Sequence, residues 1–93
     1  MNENNKAQDV KANSNSIVKW SETEVKEWFI KNSINLAILE YLSPCSGIVL
    51  KQIFDMKNNA PEFFYNSLKE VKGANISAIS LFSHFLVLLF EGN

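Results

Sequence analysis

From Ile17 onward, apolar residues recur at spacings of three and four, the period of a helix with one buried face. Ser21 stands three residues before Glu24, a pattern in which side chain and backbone at the two ends of a first turn satisfy each other. Val25, Trp28 and Phe29 then share a face, with Ile17, Val18 and Trp20 ahead of the cap. Glu22–Lys26 and Glu27–Lys31 are i,i+4 pairs on the opposite, solvated side. The spacing predicts a second, short helix over 35–42, with Ile38, Leu39 and Leu42 inward and Glu40 outward. Pro44 stops it, because the residue before a proline disfavours helix.

After the break Ser43-Pro44-Cys45-Ser46-Gly47, a third helix is expected over 48–54, carrying Val49, Leu50, Ile53 and Phe54. Residues 55–59 read as a connection, with Asn59 capping a fourth helix over 60–71 and Pro61 in its first turn, where a missing N–H costs nothing. Phe64, Leu68 and Val71 face inward, and Gly73 ends the helix. Asn75 caps the fifth, over 76–90. No run of residues alternates apolar with polar over a useful length, so no strand is expected. The fold class is all-α, a five-helix bundle.

The fifth helix departs from an ordinary surface helix. At about 100° per residue, Ser77, Ser80, His84 and Glu91 fall on one narrow stripe with Ser83 at its edge, and the rest of the wheel is apolar. Packing at the centre of the bundle is the first explanation. Presentation of apolar residues to a partner is the second. A membrane element is the third, disfavoured because fifteen residues at about 1.5 Å each give roughly 22 Å, against a hydrocarbon core of about 30 Å.

Residues 1–16 read MNENNKAQDVKANSNS, with Val10 the only large aliphatic after Met1. So little apolar surface cannot offset the entropy of ordering, and a disordered tail is expected there. The segment has neither the apolar stretch of a secretory signal nor the arginines of a transit peptide, and Asn2 stands where myristoylation needs glycine. The folding unit is therefore expected over 17–91, one domain in a chain of 93 residues.

A formal net charge of -1, with lysine supplying every basic residue, argues against nucleic acid, whose phosphates are gripped by clustered Lys and Arg. One cysteine and one histidine allow neither an internal disulfide nor a metal centre. Cys45 alone fits a reducing compartment, so a cytoplasmic setting is expected.

Candidate chemistry is sparse. Cys45 and His84 are the available nucleophile and base, but no local motif pairs them. The carboxylates at Glu22, Glu24, Glu27, Glu40, Asp55, Glu62 and Glu70 are scattered, and no phosphate loop, metal-ligand spacing or dinucleotide fingerprint occurs. No catalytic residue and no cofactor are expected. Asn75-Ile76-Ser77 fits the glycosylation acceptor pattern, but Asn75 is wanted as a cap; Ser43-Pro44 fits a proline-directed phosphorylation site.

The run Ile17-x-x-Trp20-Ser21-x-x-x-Val25-x-x-Trp28-Phe29, followed by a short helix, by Gly47-x-x-Leu50-x-x-Ile53 and by a long last helix, resembles a sterile alpha motif (SAM) domain. The resemblance covers essentially 17–91. It implies a five-helix interaction module whose relatives often associate head to tail, an acidic mid-domain surface meeting a surface around the start of the last helix. By position, the mid-domain surface comprises Glu40, Asp55, Lys57 and Glu62, and the end-helix surface Lys69, Lys72, Gly73, Ala74, Asn75 and Ser77. Their charges are roughly complementary. The chain reads Ser77-Ala78-Ile79 where relatives often carry glycine and then a basic residue, which removes the positions used by RNA-binding members.

The expected function is thus non-catalytic protein–protein association, with itself or another SAM-like domain, in signalling or scaffolding. The alternative is a membrane- or lipid-proximal element built on the last helix. A death-fold adaptor would require a sixth helix.

Overall fold

The computed structural model describes residues 14–91. A single turn, α1 (Ser14–Ile17), precedes five helices of seven residues or more: α2 (Glu22–Lys31), α3 (Leu36–Leu42), α4 (Gly47–Asn59), α5 (Pro61–Leu68) and α6 (Ile76–Glu91). Among the described residues there is no strand. The tail expected over 1–16 lies outside the described residues as far as 13, and Ser14–Ile17 form the turn α1. That turn delivers Ile17, which is fully buried.

The caps form largely as the sequence predicts. Ser21 Oγ accepts from the Glu24 N–H at 3.2 Å, and Glu24 Oε1 accepts from the Ser21 N–H at 2.8 Å. Asn75 Oδ1 accepts from the Ala78 N–H at 2.9 Å; Asn35, a cap that the sequence does not predict, accepts likewise from the Ala37 N–H at 2.7 Å. Pro61 opens α5, and Gly73 turns the chain before α6 with φ of +89°. The facing charges Glu22–Lys26 and Glu27–Lys31 do not close; the ion pair among the described residues is Lys51–Asp55 at 2.7 Å.

Residues 55–59 are a second correction. They do not connect two helices but complete α4, because Ile53 and Met56 continue its apolar face and Lys51 ties to Asp55 one turn on. Asn59 is consequently the last residue of α4 and not a cap. Ala60 serves both helices through its backbone: its N–H donates to the Met56 carbonyl at 2.7 Å, and its carbonyl accepts from the Phe64 N–H at 3.0 Å. The fourth predicted helix ends early, at Leu68, and Val71 reaches the core from the following turn.

Val25, Phe29, Ile38, Leu50, Phe64, Ile79, Phe82 and Leu86 are sealed from solvent and form the centre of one core. Phe82 on α6 lies 5.5 Å from Phe29 on α2 and 6.3 Å from Phe64 on α5, while Phe90 stacks on Phe54 of α4 at 4.9 Å. The last helix therefore meets three others with its aromatic side, which absorbs most of its apolar girth. Its polar stripe of Ser77, Ser80, His84 and Glu91 faces solvent as expected, flanked by exposed Leu81 and Leu88. Ser83 does not belong to that stripe. It is buried at 6% exposure, and its hydroxyl lies 3.0 Å from the Tyr65 hydroxyl. A polar group so buried is tolerated because it has this partner.

Candidate interaction site

Cys45 is a buried residue of the α3–α4 connection, its thiol 3.8 Å from the Ser46 carbonyl. Burial, helped by the nearby charge of Glu22, pushes the thiol up to about 11 from an ordinary 9.0. A thiol held protonated is a poor nucleophile and a poor metal ligand. His84 is exposed on α6, with its ring edge-on to Phe85 at 5.3 Å. Among the described residues no three of His, Cys, Asp and Glu gather into a group able to hold a metal ion.

The charged residues singled out by the resemblance are dispersed over α3, α4, α5 and the turn before α6. Asp55 and Lys57 lie on α4, half-buried, and Asp55 is already held by Lys51. Glu62 is exposed in the first turn of α5. Lys69 caps the C-terminus of α5, and Lys72, Gly73, Ala74 and Asn75 form the turn into α6, with Ser77 exposed in its first turn. Gly73, Ala74 and Asn75 line a shallow surface hollow, and Asn35 Nδ2 donates to the Gly73 carbonyl at 2.8 Å. That bond joins the entry of α3 to the entry of α6.

Glu40 is exposed on α3. It lines a hollow of about 220 Å³ together with Ala37, Tyr41, Glu70, Val71 and Lys72. One residue from each expected surface, Glu40 and Lys72, thus shares a single depression. No ion pair within 4.0 Å neutralises Glu40 or Glu70 there.

Tyr41 also lines an apolar cavity of about 190 Å³. Tyr41 and Leu42 come to it from α3, Ile53 and Met56 from α4, and Phe64, Ser67 and Leu68 from α5. Its only side-chain polar atoms are the hydroxyls of Tyr41 and Ser67. Phe63, 60% exposed, sits one helical turn before Ser67 and extends the apolar surface outward. This cavity was not legible in the sequence: Tyr41 and Met56 reach it only because α4 runs its full length and α5 folds back against it.

Compared with known proteins, the chain matches no family model, no curated protein and no solved structure. No helix among the described residues is long and apolar enough to cross a membrane.

Proposed function

We propose that this protein is a non-catalytic, SAM-like interaction module that associates with itself or with another such domain. The observation that supports this most strongly is the meeting of the two halves of the resembling motif. The Gly47 N–H donates to the Trp20 carbonyl at 2.9 Å, and a Cβ on Gly47 would land on the Ile17 carbonyl oxygen. The residues that carry the resemblance are therefore the ones that lock α1, α2 and α4 together, with Val25, Trp28 and Leu50 buried behind them.

Among the described residues, eight large apolar side chains from five helices, including Phe63, Ile76, Ile48 and Tyr41, remain exposed on a domain whose core is already closed. In this reading Lys57 and Glu62 carry the mid-domain surface, Asp55 contributes only what its bond to Lys51 leaves, and Glu40 shares a hollow with Lys72 of the end-helix surface. The role is scaffolding or signalling in a reducing, cytoplasmic setting, for which the buried, unreactive thiol of Cys45 is the support.

Light scattering on a sizing column, across a series from about ten to several hundred micromolar, tests the homotypic form. A weight-average mass that climbs with concentration is expected; a constant mass of 10.6 kDa would overturn it.

A further inference from the structure

The cavity and the hollow that share Tyr41 differ in character. One is lined by Ile53, Met56, Phe64 and Leu68 and has the volume of a single benzene-sized group. The other holds two carboxylates, Glu40 and Glu70, against one ammonium, Lys72, with neither carboxylate in an ion pair. Tyr41, 49% exposed, lines both, and an aromatic ring at the edge of the hollow can attract a cation through its face.

From this pairing we infer that the α3–α5 face binds a short peptide segment in which an aromatic or branched apolar side chain is followed by a lysine or arginine. The apolar side chain enters the cavity, and the cation lies over Tyr41 between Glu40 and Glu70. Three observations favour that occupant over a second copy of the chain. The excess of negative charge in the hollow selects a cation. The cavity admits one side chain and not a helix face. Among the described residues, Tyr41 is the exposed large apolar residue that lines the cavity and Phe63 stands one helical turn from Ser67, few anchors for an interface of roughly 800 Å² per partner. The inference does not depend on the SAM-like reading, because it needs no self-association.

Amide shifts of the isotope-labelled 93-residue chain, titrated with acetyl-Phe-Lys-amide and acetyl-Phe-Glu-amide at millimolar concentration, test it. Perturbations are expected at Tyr41, Met56, Ser67 and Leu68, with the lysine probe bound about two- to fivefold tighter, the range of an exposed ion pair. Glu40→Gln with Glu70→Gln, both exposed and structurally silent, removes that preference; Lys72→Glu enlarges it; Ser67→Phe fills the cavity and abolishes binding of both probes. Absence of shifts at those four residues would overturn the proposal, and so would equal binding of the two probes. Shifts of the same residues on raising protein concentration alone would give the cavity to a second copy, which also overturns it.

Discussion

Gly47 and Trp20 are joined through backbone alone: the glycine N–H meets the tryptophan carbonyl at 2.9 Å, and there is no room for a side chain where the chains cross. The contact lets α4 start directly beneath the α1–α2 turn. Any larger residue drives a Cβ into the Ile17 carbonyl, which is backbone and cannot rotate aside. Gly47→Ala is expected to cost about 3 kcal/mol, at the upper end for overpacking. Chemical denaturation reads the loss directly. Wild-type stability in Gly47→Ala would show that the approach is not as close as described.

Trp28 packs its ring edge-on against Phe29 at 5.4 Å and is 9% exposed. Trp28→Ala is expected to destabilise the domain by about 3–5 kcal/mol, the usual range for emptying a large aromatic site. A folded variant with unchanged thermal midpoint would contradict its place in the core.

The Cys45 thiol gives a signature in pH. Its value near 11 in the folded state lies above the ordinary 9.0, so between those two values the folded chain binds more protons than the unfolded one. Stability from this group is fully present below about pH 9 and declines as pH rises towards 11. Cys45→Ala removes that decline. Thiol labelling at neutral pH is expected to be slow in the native state and to accelerate in denaturant; fast native labelling would mean that the residue is accessible.

Tyr65 and Ser83 hold α5 to α6 through one hydroxyl pair at 3.0 Å. Either Tyr65→Phe or Ser83→Ala is expected to cost about 1 kcal/mol, and the double variant less than the sum, because the second change removes a group the first had already orphaned. Strict additivity in the double-mutant cycle would rule out the bond.

Lys72→Glu separates the two proposed roles of this domain by sign. It places a third carboxylate beside Glu40 and Glu70, and it cancels the positive charge that Lys69 and Lys72 give the end-helix surface. Self-association through that surface is expected to weaken, seen as a lower mass at equal concentration, while the cationic dipeptide binds more tightly. Movement of both in one direction would show that the two use the same contact.

Much of the fold could be read from local pattern because local forces set it. The Ser21–Glu24 reciprocal cap, the Asn75 cap, Pro61 and Gly73 each act within a few residues of themselves. The extent of α4 escaped because Asp55, Lys57, Asn58 and Asn59 are poor helix formers or polar, and only Met56 marks the continuing face. Ser83 reads as the edge of a polar stripe because its partner, Tyr65, lies on another helix. The same limit applies to the site. Glu40 and Lys72 are thirty-two positions apart, and no spacing rule says that they line one hollow.

The side chain of Asn35 faces two ways: its oxygen holds the first turn of α3 and its nitrogen holds the Gly73 carbonyl. Fraying at the start of α3 and opening of the loop before α6 are for this reason a single event, felt together at two amides far apart in the chain. The depression beside Glu40 and Lys72 has one wall on each of those segments. One asparagine thus ties its two walls together, and Asn35→Ala is expected to loosen both at once.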